Sequence, residues 1–155
     1  MTPPSRTVEF PLSVIKGIGL INSGLFFEAH EILENEWKKE TRSIRRLYQG
    51  LIQFSAACLH LQRGNRYVSK KLLAKSATNL SSFLDAPLEI DLKRLIKEME
   101  FFNLFINQVS FIENQASVEI NYPKINGIES INPGSGLPEL ALHQHFPVLA
   151  ASKIM

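Results

Sequence analysis

The sequence has little of several residue types on which common protein classes depend. It contains a single cysteine, Cys58, so neither a disulfide framework nor a cysteine-rich metal site can form. Its net charge of +2 is too small by itself to indicate binding to nucleic acid or to a membrane. The longest uncharged run, Leu47 to Gln62, contains three glutamines and is shorter than the roughly twenty apolar residues of a membrane-spanning helix. The N-terminus lacks the apolar core of a secretory signal, so a cytoplasmic protein without a membrane partner is expected.

The length and the apolar content of the chain favour a folded domain. A chain of 155 residues with 45% apolar content can bury a hydrophobic core. Apolar residues recur at helical spacing in five stretches, separated by turn-forming residues such as Gly64 and Asn65. The predicted helices cover about residues 11–22, 25–39, 43–63, 66–83 and 89–112. Because the turns between them are short, the sequence predicts an all-α fold, a five-helix antiparallel bundle.

The helical pattern ends near residue 113, which divides the chain into two parts. The sequence predicts a bundle domain over residues 8–113 and an irregular C-terminal tail over residues 114–155, where prolines and glycines interrupt any sustained period. Apolar residues of this tail can still pack along the bundle. Examples are Ile125, Ile128, Phe146 and Leu149.

Polar residues interrupt the apolar face of the second helix. At 100° per residue, His30 lies in the middle of this face, with Glu34 beside it and Glu31 at its border. Trp37 shares the same face and is expected to pack there. Glu28 points in the opposite direction and is expected to face the solvent.

The third helix carries a polar stripe formed by Gln49, Gln53 and His60. If the two helices fold back on each other, His30 lies beside Gln53 and Glu34 beside Gln49. Buried polar groups are costly unless they satisfy one another, so one hydrogen-bonded network is expected. Such a network either fixes the register of the helix pair or forms a binding site.

Two kinds of chemistry remain open for these residues. His30 and Glu34 can reach one ion from a single helix, with His60 as a third ligand. The second histidine of the familiar zinc motif is absent, however, and no metal or other cofactor is expected. His30 beside Glu34 can also act as a general base in a small hydrolase. No nucleophile is evident, because Ser55 and Cys58 point to other sides of the third helix.

Basic residues surround the turn between these two helices. Such a patch can hold phosphate groups, with Arg46 as the member most able to reach inward, or it can be a solvated bundle end with local ion pairs. Aromatic residues are not interleaved with the charges, which argues against nucleic acid. We call this the basic patch, which comprises Lys38, Lys39, Arg42, Arg45 and Arg46.

Several of these elements occur together in a known family. The run from Gly24 to Trp37, followed by Gln49-Gly50-Leu51-Ile52-Gln53, His60 and Gly64-Asn65, resembles the family called domain of unknown function 309. The resemblance implies a helical bundle, found in bacteria and plastids, whose activity is not established. The family motif maps onto eight candidate site residues. They are Glu28, His30, Glu31, Glu34, Trp37, Gln49, Gln53 and His60.

The sequence as a whole therefore predicts a small helical binding or interaction module with a polar network between its second and third helices. Its partner is expected to be a small molecule or a protein, and assembly into oligomers remains open. The alternatives are a hydrolase or metal-dependent enzyme using His30, Glu34 and His60, and a phosphate or nucleic-acid binder using the basic patch.

Overall fold

The computed structural model describes residues 7–109 and 122–127. Within these ranges the chain forms five α-helices and no named β-strand, and the prediction of an all-α helical bundle is confirmed. The observed bounds differ from the predicted ones by a few residues at most where both ends are described. The helices are α1 (Leu12–Asn22), α2 (Phe26–Lys39), α3 (Arg45–Gln62), α4 (Arg66–Ser81) and α5 (Leu92–Val109). Among the described residues, none of these helices has the length and apolar character needed to cross a membrane.

The turn between α3 and α4 shows how the sequence sets a helix end. Gly64 has a φ of +79°, a left-handed conformation that costs glycine little because it has no Cβ atom. The N–H of Asn65 then donates to the carbonyl of His60 at 2.8 Å, which closes α3. The side chain of Asn65 accepts a hydrogen bond from the N–H of Val68 and caps α4.

Helix α3 is the centre of the bundle, as its apolar residues on several sides predict. Every residue from Gly50 to Leu59 is buried, and α3 packs against both α2 and α4. The approach of α4 is close at Gly50, where an added Cβ atom would lie only 2.7 Å from the side chain of Leu80. The hydroxyl of Ser76 on α4 donates to the carbonyl of Gly50 at 2.6 Å, so the small residue permits a direct contact between the two helices.

Segment 122–127 packs against helices α1, α2 and α5, two of which are far from it in sequence. The amide of Asn22 at the end of α1 donates to the carbonyl of Ile125 and accepts from its N–H, both at 2.7 Å. The ring of Tyr122 lies between Phe26 of α2 and Phe102 of α5, with ring centroids 4.9 and 5.5 Å away. Ile125 itself is buried. Residues Ile128, Phe146 and Leu149, named above as further packing candidates, lie outside the described residues.

Candidate functional site

The most unusual polar group in the described structure is the imidazole of His30 on α2. His30 is only 2% exposed, as its place on the apolar face predicts, yet neither Nδ1 nor Nε2 has a hydrogen-bond partner among the residues that the structure describes. Burial lowers the pKa of His30, while the nearby carboxylates of Glu34 and Glu31 act in the opposite direction. A neutral imidazole therefore lies in the core, and whichever tautomer it adopts, neither its donor nor its acceptor nitrogen has a partner among the described residues.

Two carboxylates of the same helix face this imidazole. Nδ1 of His30 lies 3.5 Å from Oε2 of Glu34 and 3.7 Å from Oε1 of Glu31, beyond the length of an ordinary hydrogen bond. The ligand atoms of the three residues all lie within 4.8 Å of one another. Because positions 30, 31 and 34 fall within one helical turn, α2 alone is sufficient to bring these groups together.

This cluster differs from the ligand set that the sequence predicts. His30 and Glu34 are brought together as expected, but the third member is Glu31, which lies next to His30 in the chain, and not His60 of α3. His60 is partly buried, and its pKa is lowered by burial and, to a smaller extent, by the charge of Arg63. The helical wheel had placed Glu31 at the border of the buried face, and its side chain is 59% exposed. It therefore approaches the cluster from the solvent side.

Within the described part of the chain, the predicted single network does not extend to His30, because that imidazole has no hydrogen-bond partner there. Gln53 is buried as predicted, but its Oε1 accepts a hydrogen bond from Asn79 of α4 at 2.7 Å. Oδ1 of Asn79 accepts in turn from Nε of Arg46 at 2.9 Å. Sequence reasoning missed Asn79, because the contact depends on how α4 is placed against α3. The one feature of the sequence that could have indicated this contact is that Asn79, a polar residue, directly precedes the buried Leu80.

The position of Glu28 differs from the one predicted from the sequence. The helical wheel predicts a solvated side chain, but both carboxylate oxygens are buried and accept no hydrogen bond from any described residue. Trp37 lies partly buried against the core, as predicted, and its indole Nε1 is also buried without a partner. The guanidinium of Arg45 lies 3.7 Å from the centre of the Trp37 ring and covers it.

The basic patch is largely engaged in contacts within the chain. Nζ of Lys38 lies 3.3 Å from Glu34, and Arg42 donates to Glu40 at 2.8 Å, which lowers the pKa of that carboxyl to about 2. Arg45 stacks on Trp37. The sequence suggests that Arg46 can reach inward, but its side chain is exposed and donates to Asn79 at the surface. These contacts match the alternative of a bundle end with local ion pairs.

Ser55 and Cys58, which the sequence places on other sides of the third helix, are unsuited as nucleophiles in the structure as well. The hydroxyl of Ser55 is buried and donates to the carbonyl of Ile52 at 2.8 Å. Burial raises the pKa of the Cys58 thiol well above its usual range, which disfavours the reactive thiolate. A cavity of about 560 Å³ lies between α5 and segment 122–127, but its lining includes none of the candidate site residues. The geometry therefore gives no support to the hydrolase alternative.

Comparison with known proteins finds a family model that resembles part of the chain, and it gives no activity. The family model described as Domain of unknown function (DUF309) matches residues 14–72. The resemblance to DUF309 is confirmed. This DUF309 segment contains most of α1, all of α2 and α3, and the first part of α4, and therefore includes His30, Glu31 and Glu34.

Comparison with a curated protein likewise finds a similar sequence and no activity. The uncharacterized protein YpuF of Bacillus subtilis (strain 168) is 37% identical over 78 residues, which is 48% of this chain and 45% of YpuF. The chain therefore spans less than half the length of the relative that it matches. No solved structure matches the chain.

Proposed function

We propose that this chain is a small helical binding module whose ligand is a divalent transition-metal ion held by His30, Glu31 and Glu34. One observation carries the proposal: a buried imidazole, which has no hydrogen-bond partner within residues 7–109 and 122–127, faces two carboxylates at 3.5 and 3.7 Å. An unpartnered buried polar group costs on the order of 1 to 3 kcal/mol. A cation between the three groups would satisfy Nδ1 and neutralise the two carboxylates.

The distances suit such an ion. Metal bonds to imidazole nitrogen and carboxylate oxygen are about 2.0 to 2.2 Å long, so ligand atoms around one ion lie roughly 3.0 to 3.5 Å apart. The two distances from Nδ1 of His30 are close to this range, and the exposed side chain of Glu31 is free to close the remaining gap. The lowered pKa of His30 keeps the imidazole neutral, which ligation requires.

The ligand types indicate which ions to expect. One imidazole with two carboxylates favours ions such as Zn²⁺, Mn²⁺ and Fe²⁺, whereas Mg²⁺ and Ca²⁺ prefer oxygen ligands alone. Three protein ligands would leave at least one coordination position for water or for a further ligand.

Calorimetric titration of chelator-treated protein with Zn²⁺, and separately with Mg²⁺, tests this proposal. We expect about one Zn²⁺ per chain, with binding weakened at least about 10-fold in His30→Gln and Glu34→Gln. His60→Gln and Glu98→Gln are matched controls, because His60 lies outside the cluster and Glu98 is paired with Arg94 on α5. The proposal is refuted if the wild type binds no stoichiometric Zn²⁺, or if His60→Gln impairs binding as much as His30→Gln does.

A further inference from the structure

A third charged residue of α2 touches the His30, Glu31 and Glu34 cluster. The carboxylate of Glu34 is shared between two neighbours: Oε2 lies 3.5 Å from Nδ1 of His30, and Oε1 lies 3.3 Å from Nζ of Lys38. Positions 30, 34 and 38 follow one another at intervals of four, so they lie along one stripe of the helix. Lys38 therefore brings a positive charge to the edge of the cluster.

We propose that Lys38 is an internal counter-cation that competes with the metal ion for Glu34 and thereby sets the affinity of the site. This inference rests on the proposed function of the cluster. The ammonium group partly neutralises Glu34 while the site is empty. When an ion binds, Lys38 has to release Glu34 or remain beside a second positive charge.

The position of Lys38 allows this exchange. Its side chain is 61% exposed, so the ammonium can leave Glu34 and become hydrated without disturbing the core. If Lys38 stays 3.3 Å from Oε1 of Glu34, its charge lies roughly 5 to 6 Å from an ion that is bound to the other oxygen at about 2.0 to 2.2 Å. The repulsion between a dication and an ammonium at that separation, reduced by physiological salt, corresponds to about a 3- to 10-fold loss of affinity.

The experiment compares Zn²⁺ affinity by calorimetry in the wild type, Lys38→Gln, Lys38→Arg and Lys39→Gln. Lys39→Gln removes the same charge from the next residue, whose exposed side chain points about 100° away around the helix. We expect Lys38→Gln to bind Zn²⁺ about 3- to 10-fold more tightly than the wild type, Lys39→Gln to differ by less than about 2-fold, and Lys38→Arg to resemble the wild type. In about 1 M salt, where screening acts within about 3 Å, the advantage of Lys38→Gln should shrink.

The outcomes separate the two proposals. If the wild type binds Zn²⁺ but Lys38→Gln and Lys39→Gln have equal affinities, the role of Lys38 is refuted and the metal site remains. If Lys38→Gln binds Zn²⁺ more weakly than the wild type does, the role of Lys38 is also refuted and the metal site also remains. If none of the four proteins binds Zn²⁺, the proposed function itself fails, and the role of Lys38 fails with it. Circular dichroism establishes that each variant is folded before its titration is interpreted.

Discussion

The hydrogen bonds between Asn22 and Ile125 permit a quantitative test of how segment 122–127 stabilises the bundle. The amide of Asn22 makes two hydrogen bonds of 2.7 Å to the backbone of Ile125, 103 residues further along the chain. Ile125 is buried, at 2% exposure. Replacing Asn22 with alanine removes both bonds and leaves a backbone N–H and a C=O without this partner.

The expected magnitude follows from these contacts. Each hydrogen bond contributes about 0.5 to 1.5 kcal/mol net, and a buried group left unsatisfied adds to that loss. Alanine is a better helix former than asparagine by up to about 0.7 kcal/mol, which offsets part of the effect at the end of α1. We expect Asn22→Ala to lower the free energy of unfolding by about 2 to 3 kcal/mol, equivalent to roughly 2 to 4 °C in Tm for each kcal/mol at this chain length.

Urea denaturation, followed by circular dichroism and by the fluorescence of Trp37, measures this loss. The two probes should give coincident transitions, because a single free energy is defined only for two-state unfolding. Ser23→Ala, at the exposed neighbouring position, is the control and should change stability by less than about 0.5 kcal/mol. A change below about 0.5 kcal/mol in Asn22→Ala would refute the inferred role of this contact.

Two further predictions concern the core and the buried histidine. Gly50→Ala should destabilise the protein by about 1 to 2 kcal/mol in the same urea assay, because overpacking against Leu80 exceeds the gain in helix propensity; a stabilised variant would contradict the close contact of α3 and α4. Burial lowers the pKa of His30, so below about pH 6.5 the unfolded chain binds more protons than the folded one. As the pH is lowered through this range, the free energy of unfolding should therefore decrease, by up to about 1.4 kcal/mol per pH unit for this group. Urea denaturation of chelator-treated protein between pH 5 and 8 should show a weaker pH dependence in His30→Gln than in the wild type, and parallel curves would contradict this explanation.

The sequence by itself determined the helices and the local part of the candidate site. Helical periodicity and the Gly64-Asn65 turn set the ends of α3 and α4, because caps and turns depend on neighbouring residues. His30 and Glu34 are brought together by their spacing on one helix. Glu34 and Lys38 have the same i,i+4 spacing, but their ion pair is not among the contacts predicted from the sequence.

Only the tertiary structure decided which polar groups are buried and what satisfies them. A helical wheel gives the direction of Glu28 but not what covers that side of α2, so the burial of its carboxylate could not be predicted. The bonds from Asn79 to Gln53 and from Asn22 to Ile125 depend on how distant segments pack, and no local pattern encodes their register. Likewise, helix geometry places Glu31 and Glu34 near His30, but the packing of the described helices leaves that imidazole buried and without a hydrogen bond from any described residue. Local spacing thus determines which groups can meet, whereas tertiary packing determines whether water or another protein group satisfies them.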